Sequence, residues 1–236
     1  MINERVFITG ATGFIGQYVC RALDQQGIEY LGLTQKILSS SSRFVSGSIL
    51  DVERLNQIIN DFKPTAVLHL AAVASPAHKD IAKIYEINVA GSENLLEAIR
   101  TKCNDRVRLV MVSSAGVYGN QNKKLLDEET PLSPVNHYSY SKMVMEMLAR
   151  QYEQYVDLTI VRPFNIIGKG QQENFLIPKL VRAFVLKQKS LSLGNIDTAR
   201  DYMDVECAAD AFIRLIFQRE EIYKIINFCT GKAATC

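Results

Sequence analysis

The stretch Val6-Phe7-Ile8-Thr9-Gly10-Ala11-Thr12-Gly13-Phe14-Ile15-Gly16 decides the fold. Its first four residues predict a buried β-strand, and a helical pattern follows from about Gly13 to Gln26, with Gly27 at its end. Glycines at such a strand-to-helix turn permit a tight bend, bring backbone amides close to a pyrophosphate and let the helix pack on the strand. The positive end of the helix dipole favours phosphates. The stretch therefore predicts a dinucleotide-binding site.

Short apolar runs alternate with helical patterns along the rest of the chain, which is typical of βαβ units and a parallel sheet. We predict an α/β fold with a Rossmann-like, doubly wound parallel sheet, whose dinucleotide-binding domain spans residues 1–163. The further strands are expected at 30–33, 44–45, 66–71, 107–112, 158–161, 191–193 and 225–228, and the further helices at 51–63, 79–102, 137–155, 175–187 and 205–218.

Composition and charge narrow the function classes. Of the 236 residues 47% are apolar, and 27 basic against 25 acidic residues leave a net charge of +2, so no nucleic-acid partner is expected. No apolar run reaches membrane-spanning length, and the first strand begins too early for a signal peptide. The five cysteines and three histidines lack disulfide or metal-ligand spacing. We therefore expect a cytoplasmic protein with no membrane contact and no metal.

A tyrosine–lysine pair is the candidate catalytic centre. Tyr138 and Lys142 are four residues apart at the start of a predicted helix, so they lie on one face. A phenol exchanges protons at neutral pH only when a nearby cation stabilises its anion, and we expect Lys142 to lower the pKa of Tyr138 in this way. Ser114 follows the strand 107–112, at the edge where doubly wound sheets bind ligands, and its hydroxyl could polarise a carbonyl group.

Together, the glycine turn, Ser114 and the Tyr138–Lys142 pair resemble the extended short-chain dehydrogenase/reductase family, of the NAD-dependent epimerase/dehydratase type. The segments 69–72, 85–91, 162–168 and 200–205 are similar to four further motifs of that family. The resemblance implies an NAD(P)-dependent enzyme whose partner is a nucleotide-diphosphate sugar.

The resemblance also implies roles for single residues. Ser114, Tyr138 and Lys142 would be catalytic, and Ser114, Asn165 and Arg200 would contact the substrate, the last two at its diphosphate. Residues from several separate segments would contact the cofactor, and one of them, an asparagine, would also order the active site. These residues are Gly10, Thr12, Gly13, Phe14, Ile15, Gly16, Thr34, Gln35, Lys36, Ser48, Ile49, Leu70, Ala71, Ala72, Asn88, Tyr138, Lys142 and Pro163.

The end of the second strand bears on the choice of cofactor. An NAD site normally places a carboxylate there for the ribose 2′-hydroxyl, but this chain reads Thr34-Gln35-Lys36. A carboxylate would repel a 2′-phosphate, whereas these three side chains could donate hydrogen bonds to one. We therefore expect NADP(H) and keep NAD(H) as the alternative. Ser48 stands where many relatives have an aspartate beside the adenine, which leaves that contact open.

The residues after Ser114 bear on the reaction. Family dehydratases carry an acidic residue in this segment, and GDP-fucose synthase-like enzymes carry a cysteine at the position of Gly116. This chain has Ala115 and Gly116, neither of which moves a proton. NADPH-dependent reduction of a nucleotide-linked 4-keto-6-deoxy sugar and NAD(P)-dependent 4-epimerisation remain. We favour reduction, because an epimerase retains its NAD whereas a reductase exchanges NADPH, and the second strand lacks the carboxylate typical of NAD sites. Segment 162–171 also resembles GDP-4-dehydro-6-deoxymannose reductases. We keep a non-catalytic NADP-binding regulator as a further alternative.

Two expectations concern assembly and size. Family members often dimerise through the central helix and the tyrosine–lysine helix, and an apolar face of Met143, Met145, Met147 and Leu148 would permit a homodimer. The same face would serve equally as core. Relatives typically continue for some tens of residues beyond the position of Cys236, so residues 164–236 are expected to form a small, truncated substrate region interleaved with the sheet.

Overall fold

The chain folds into alternating strands and helices, seen in a computed structural model that describes residues 4–35, 42–74, 78–121, 125–193, 198–218 and 224–235. The strands are β1 (Arg5–Thr9), β2 (Glu29–Thr34), β3 (Phe44–Ser46), β4 (Ala66–His69), β5 (Val107–Val112), β6 (Val156–Pro163), β7 (Asn165–Ile167), β8 (Ala199–Asp204), β9 (Ile225–Phe228) and β10 (Ala233–Thr235). The helices are α1 (Phe14–Gln25), α2 (Val52–Phe62), α3 (Ile81–Tyr85), α4 (Gly91–Lys102), α5 (His137–Arg150), α6 (Leu176–Val185) and α7 (Val205–Phe217).

Seven of the strands form one parallel sheet with the order β3-β2-β1-β4-β5-β6-β9. The chain builds outward from β1 to β3 on one side, then crosses back to place β4 beside β1 and continues to β9 on the other side. The strand order therefore reverses between β1 and β4, the point at which open α/β sheets bind ligands beyond the strand ends. The predicted Rossmann-like, doubly wound sheet is confirmed.

Alternate side chains of the strands face two helical layers. On β1, Val6 and Ile8 belong to the hydrophobic core shared with α1 and α7, whereas Phe7 belongs to the core shared with α2, α4 and α5. Because both faces of the sheet are covered, its strands are continuous apolar runs. The elements β9 and α7 come after residue 163 and still join the main sheet and its helical layer.

The turn between β1 and α1 depends on glycine at two positions. Gly10 has φ of +69°, a left-handed conformation that side-chain-bearing residues rarely adopt. A Cβ atom on Gly16 would lie 2.3 Å from the Gly10 carbonyl oxygen and 2.7 Å from the Ala11 carbonyl oxygen. The missing side chain at Gly16 therefore lets the first turn of α1 sit directly against the end of β1.

The helix expected at 79–102 is interrupted by a π-helical turn. Residues Glu86–Ala90 form this turn between α3 and α4. Within it Asn88 is fully buried, and its side chain exchanges two hydrogen bonds with the backbone of Val73, at 2.8 and 3.2 Å. The extra residue in the turn brings this amide to the segment that follows β4. Single-turn π insertions of this kind are frequent at functional sites.

The region after β6 departs most from the sequence prediction. The strand expected at 191–193 is wrong, because the structure describes these residues without regular structure and the Ser192 carbonyl accepts a hydrogen bond from the Lys179 ammonium group. A second sheet of three strands, with the order β10-β8-β7, was not predicted. Its strands are short and largely exposed, so they lack the apolar pattern by which buried strands are recognised.

The helices of the described residues include no candidate for a membrane-spanning segment. None of the helices in the described parts of the chain combines the length and the apolar character that crossing a bilayer requires.

Gly16→Ala tests the close approach of α1 to β1. The added methyl group meets two backbone carbonyls that have no room to move independently, so we expect the free energy of unfolding to fall by about 1–3 kcal/mol. Urea denaturation followed by circular dichroism measures the change. Gly27→Asn is the matched control, since Gly27 has φ of +67° with no atom within 4 Å of an added Cβ, and asparagine tolerates this conformation. A loss at Gly16 no larger than that at Gly27 would contradict the close-packing explanation.

Candidate active site

The glycine turn and the segment after β4 meet at the point where the strand order reverses. A Cβ atom on Gly10 would lie 2.8 Å from the backbone nitrogen of Ala71, and that nitrogen donates a hydrogen bond to the Thr9 hydroxyl at 3.2 Å. Leu70 and Ala72 flank this contact in sequence. Two segments predicted to bind the cofactor, 10–16 and 70–72, are therefore brought together.

The start of α1 has the properties of a pyrophosphate site. Gly13 is exposed at the N-cap, and Phe14 and Ile15 follow it, half-buried, in the first turn. Within the described residues no side chain caps this helix end and no acidic residue lies in its first turn. The first amides therefore keep donors for an anion, and the helix dipole adds to the attraction. With free amide donors, no acidic side chain in the described first turn and glycines that bring the backbone segments close together, these residues fit the pyrophosphate of a dinucleotide.

Two threonines face each other where the ribose of a dinucleotide is expected. Thr34, the last residue of β2, is buried, and its hydroxyl oxygen lies 3.3 Å from that of Thr12 in the glycine turn. Gln35 is exposed directly after it. Lys36, the third side chain predicted to contact a 2′-phosphate, lies outside the described residues.

The segment after β3 divides between surface and core. The Ser48 hydroxyl accepts a hydrogen bond from the Leu50 backbone amide at 3.2 Å and stays half-buried. The Ile49 side chain is buried against Gly91 of α4, and its carbonyl accepts from the Asn94 amide at 3.0 Å. The side chain of Ile49 is thus part of the core, and the cofactor contact expected of this residue stays a prediction.

Two other predicted cofactor residues differ in their exposure. Pro163 ends β6 and is half-buried at the carboxyl edge of the sheet, where it pairs with Phe228 of β9. Asn88 is fully buried, and besides Val73 its amide nitrogen donates to the Ser141 hydroxyl of α5 at 2.9 Å. Asn88 therefore lies beneath the site and joins two of its walls, instead of lining its surface.

Ser114 and Tyr138 come together from different elements. Ser114 begins a 3-10 turn after β5, where its hydroxyl accepts a hydrogen bond from the Gly116 amide at 3.0 Å. Tyr138 is the second residue of α5, whose start is capped by Asn136 through the Ser139 amide at 2.9 Å. The Ser114 hydroxyl lies close enough to the Tyr138 phenol to lower the pKa of that phenol. One carbonyl oxygen could therefore contact both hydroxyl groups.

Lys142 lies one helical turn beyond Tyr138 and is almost fully buried. Its ammonium group donates to the Val112 carbonyl, the last of β5, at 2.7 Å. Burial lowers the pKa of Lys142 from 10.5 to about 8, and the nearby Glu146 carboxylate opposes this change. The hydrogen bond from Lys142 thus holds α5 against the end of β5, the strand that precedes Ser114.

The expected effect of Lys142 on Tyr138 is wrong for this arrangement. Burial raises the pKa of Tyr138 above its ordinary value of 10, and only the neighbouring Ser114 hydroxyl opposes the rise. The ammonium group of Lys142 is bonded to Val112 and not to the phenol. Tyr138 is consequently protonated at neutral pH and stands ready to donate a proton.

A buried ion pair beneath α5 was missed at the level of sequence. Glu146, one turn after Lys142, forms two hydrogen bonds to the guanidinium group of Arg162 on β6, at 3.0 and 2.7 Å. Both side chains are at most 2% exposed, and Ser113 donates to the same carboxylate. A charged residue on the buried face of a predicted helix was the available signal, because such residues require a partner.

Further hydrogen bonds connect the ion pair to the loop between β5 and α5. The Arg162 guanidinium also donates to the Tyr118 hydroxyl at 3.0 Å, and that hydroxyl donates to the Asn227 side chain of β9 at 2.7 Å. The Asn227 backbone amide in turn donates to the Glu128 carboxylate at 2.7 Å. This network ties the loop that carries Glu128 to the same face of α5 that carries Tyr138.

The two residues predicted to contact the substrate diphosphate lie in the three-stranded sheet. Asn165 begins β7, two residues after the end of β6, and its side chain donates to the Asp201 carbonyl at 3.0 Å. Arg200 is exposed on the neighbouring strand β8. This sheet therefore brings both residues to neighbouring strands beside the end of β6.

The apolar face expected on α5 is divided. Met145 is core, with 1% of its surface exposed, whereas Met147 is 59% exposed, and Met143 and Leu148 are intermediate. Tyr140 is also exposed, one turn before Met143 and Val144. An outward apolar stripe is therefore present on α5, and the homodimer stays a prediction.

Metal-binding side chains do not cluster in the parts of the chain that the structure describes, where no three His, Cys, Asp or Glu residues are placed to hold an ion.

The sequence matches the model of a known protein family over most of its length. The model of the NAD dependent epimerase/dehydratase family matches residues 6–229. The chain belongs to this family. It is therefore an enzyme of an NAD(P)-dependent family that modifies nucleotide sugars, and the family resemblance drawn from its motifs is confirmed.

Individual family members are similar along almost the whole chain. GDP-6-deoxy-D-talose 4-dehydrogenase of Aggregatibacter actinomycetemcomitans is 36% identical over 228 residues, which are 96% of this chain and 74% of that protein. GDP-6-deoxy-D-mannose reductase of Pseudomonas aeruginosa is 30% identical, over 98% of this chain and 76% of that one. UDP-glucose 4-epimerase of Thermus thermophilus, solved with NAD, superimposes with a TM-score of 0.83 at 28% identity, over 98% of this chain and 79% of that one.

Arg162→Met tests how much the buried ion pair contributes. The substitution leaves the Glu146 carboxylate buried without its cation, so we expect the free energy of unfolding to fall by about 3–5 kcal/mol. Adding Glu146→Leu removes the stranded charge and should restore more than half of the loss. The control Arg106→Met breaks an ion pair with Asp157 that is largely exposed, and should cost about 1 kcal/mol or less in urea denaturation. Equal losses of unfolding free energy in Arg162→Met and Arg106→Met would contradict the larger contribution assigned to the buried ion pair.

The buried lysine makes folding stability depend on pH with a defined sign. Between pH 8 and pH 10.5 the unfolded chain holds a proton on Lys142 that the native protein has released, so stability rises with pH in this window. Lys142→Met has nothing to titrate at this position. We expect the unfolding free energy of the native sequence, minus that of the variant, to rise by about 1 kcal/mol per pH unit above pH 8. Urea titrations at pH 7.5, 8.5 and 9.5 measure it, and a constant difference would exclude the lowered pKa.

Proposed function

We propose that this protein reduces a nucleotide-linked 4-keto-6-deoxy sugar at C4, with NADPH as the favoured cofactor. The observation that carries the proposal is the neighbouring pair of hydroxyls on Ser114 and Tyr138, whose phenol holds its proton at neutral pH. Reduction of a ketone needs one group that polarises the carbonyl oxygen and one that protonates it. These two side chains supply both from one place.

The chain's own residues divide this work. Ser114 donates a hydrogen bond to the carbonyl oxygen and stabilises the charge that develops on it. Tyr138 protonates the same oxygen, and its raised pKa means that the proton is present before the reaction starts. Lys142 holds α5 against the end of β5 through Val112, which keeps the phenol beside Ser114.

The cofactor would be held by the glycine turn and its neighbours. The amides at the start of α1 would bind the pyrophosphate, while Thr12, Thr34 and Gln35 would lie at the adenosine ribose. A nicotinamide dinucleotide bound there supplies the hydride for C4. Because no carboxylate ends β2, a 2′-phosphate meets no repulsion from Thr34 or Gln35, which supports NADPH.

The space around Gly116 supports a reaction with no further acid or base. A Cβ atom on Gly116 would lie 2.6 Å from the Ser139 hydroxyl and 3.2 Å from the Ser114 hydroxyl. An acidic side chain or a cysteine at this position would force Ser139 to move and would crowd Ser114, the serine that polarises the substrate. The packing therefore favours chemistry confined to the oxygen of C4, and disfavours proton removal from neighbouring carbons.

The two curated relatives support the choice of substrate. Both are named for GDP-linked 6-deoxyhexoses, and one of them is named for oxidation or reduction at position 4. We therefore place a GDP-linked 4-keto-6-deoxyhexose first among the candidate substrates.

A second candidate function is 4-epimerisation of a nucleotide sugar. The similarity to the Thermus thermophilus UDP-glucose 4-epimerase favours it, and the same hydroxyl pair would serve a reaction that forms and reduces a ketone in turn. The two functions differ in redox balance, since a reductase consumes one reduced cofactor per product and an epimerase consumes none.

The deciding experiment supplies 4-keto-6-deoxy sugars linked to GDP, dTDP, CDP and UDP, with NADPH and with NADH, and identifies the products by NMR. We expect stoichiometric oxidation of NADPH, fastest with the GDP sugar, and a 6-deoxyhexose reduced at C4. Interconversion of UDP-glucose and UDP-galactose without net oxidation would support the epimerase instead. Binding of NADPH without turnover of any sugar would identify a non-catalytic NADPH-binding protein.

Tyr138→Phe removes the proposed proton donor while keeping the ring. We expect kcat to fall by about 100-fold or more, because general acid catalysis typically contributes about 10²–10⁴-fold, with the Kd of NADPH changed less than about threefold. Stopped-flow absorbance measures the rate, and the fluorescence of NADPH measures its binding, since the chain has no tryptophan. Tyr140→Phe, in the same helix but on its exposed face, is the control. A rate within threefold of the native enzyme would remove Tyr138 from the mechanism.

A further inference from the structure

A line of buried polar groups runs beneath the site and has no role in the proposed chemistry. The Thr9 hydroxyl, at the end of β1, lies 2.6 Å from Nδ1 of His69, and Nε2 of His69 lies 2.8 Å from the Ser92 hydroxyl on α4. All three side chains are at most 1% exposed. Buried polar groups at this depth must satisfy one another, so their hydrogen bonds have defined directions.

The direction of the line follows from its backbone acceptors. The Ser92 hydroxyl lies 2.7 Å from the Asn88 carbonyl oxygen, which can only accept, so Ser92 is the donor there. Ser92 therefore accepts from His69, which places a hydrogen on Nε2. Nδ1 of His69 is then an acceptor, and the Thr9 hydroxyl donates to it. The geometry specifies a neutral imidazole with its hydrogen on Nε2.

Beyond Asn88 the line reaches the proposed proton donor. The Asn88 amide nitrogen donates to the Ser141 hydroxyl at 2.9 Å, and Ser141 donates to the Tyr138 carbonyl oxygen at 2.7 Å. The amide orientation of Asn88 is set by Val73, whose backbone amide donates to the side-chain oxygen at 2.8 Å. Donors and acceptors thus follow one direction from the glycine turn to the first turn of α5.

We propose that His69 is a positioning residue that holds the glycine turn and Tyr138 in one fixed relation through this directed line of hydrogen bonds. The proposal rests on the proposed function only in the role it gives to Tyr138. His69 is the member with two different ring nitrogens, one accepting from Thr9 and one donating to Ser92, and so it connects the glycine turn to α4 in the direction that the Asn88 carbonyl requires. If the ring hydrogen moved from Nε2 to Nδ1, it would face the hydrogen of the Thr9 hydroxyl. Ser92 would then lose the hydrogen bond that it accepts from Nε2.

The surroundings of His69 keep it in the neutral form. Burial and the positive charge of Lys142 together lower its pKa to about 3. Its ring partners, Thr9 and Ser92, are uncharged. The line is therefore insensitive to pH over the range in which Tyr138 and Lys142 titrate.

Three substitutions cut the line at different bonds. His69→Asn retains an acceptor near the Nδ1 position, His69→Gln retains a donor near the Nε2 position, and Ser92→Ala interrupts the line with the least change in volume. Tyr152→Phe is the matched control, because it removes a 2.6 Å hydrogen bond to Glu97 of α4 that lies outside the line. Because Ser92→Ala removes one oxygen atom only, it keeps the test valid if a histidine variant does not fold.

The tautomer and the tyrosine are read without any turnover. We expect ¹⁵N NMR of histidine-labelled protein to show His69 neutral, with hydrogen on Nε2, from pH 5 to pH 8. We expect ¹³C NMR of ring-labelled tyrosine, assigned with Tyr138→Phe, to show the raised pKa of Tyr138 falling towards its ordinary value in Ser92→Ala, because a loosened α5 admits water. A hydrogen on Nδ1, or an unchanged Tyr138 pKa in Ser92→Ala, would overturn the proposal.

Kinetics then separate this inference from the proposed function. With a sugar that the native enzyme reduces, we expect Ser92→Ala and both histidine variants to lower kcat by about tenfold or more, with the sugar KM within threefold and Tyr152→Phe unchanged. Native rates in all three folded variants would overturn the positioning role while leaving the reductase intact. Reduction of no sugar, together with the expected NMR results, would overturn the reductase and leave the positioning role standing.

Discussion

The burial of the Lys142 ammonium group beneath the ends of the parallel strands is the constraint around which the site is arranged. A buried charge is costly unless it is bonded and neutralised, and Lys142 meets this need through the Val112 carbonyl and the Glu146 carboxylate on the next turn. Glu146 in turn requires Arg162 from β6 and the hydroxyl of Ser113. Satisfying these charges presses α5 onto β5 and β6, and so brings Tyr138 against Ser114.

Lys142 also acts on His69, whose hydrogen bonds join uncharged groups and have a defined direction. His69 carries no charge, and its two ring nitrogens connect Thr9 with Ser92. The π-helical turn makes this possible, since it presents Asn88 to Val73 and Ser141 at the same time. Tyr138 is therefore held from two sides, by an ion-paired layer below its helix and by a neutral line that starts at the glycine turn. A proton donor benefits from such support, because its phenol must stay beside Ser114 for one substrate oxygen to contact both groups.

The parts of the fold that form through interactions between residues close in sequence could be predicted, whereas those that need partners far along the chain could not. The strands of the main sheet were predicted because each is a local apolar run, and the helix ends near Gly27 and Asp51 because single residues cap them. The strand expected at 191–193 failed, and β7, β8 and β10 were missed, because their pairing depends on exposed partners far apart in the chain. The π-helical turn was missed for a related reason, since the Asn88 side chain needs the backbone of Val73 in place before the extra residue is accommodated.

The amino-acid sequence by itself determined the doubly wound fold, the glycine turn for a dinucleotide, the family, and the three side chains that meet at the site. These follow from local spacing, since glycines at a strand end and a tyrosine and lysine one turn apart act wherever the strand and helix form. Only the tertiary structure decided how those side chains are protonated and held. The pKa of Tyr138 is raised and not lowered, because the phenol is buried and the Lys142 ammonium group bonds Val112 instead, and burial is a property of the packed chain. The partners Glu146 and Arg162, and the tautomer of His69, likewise depend on strands and helices that meet only after folding.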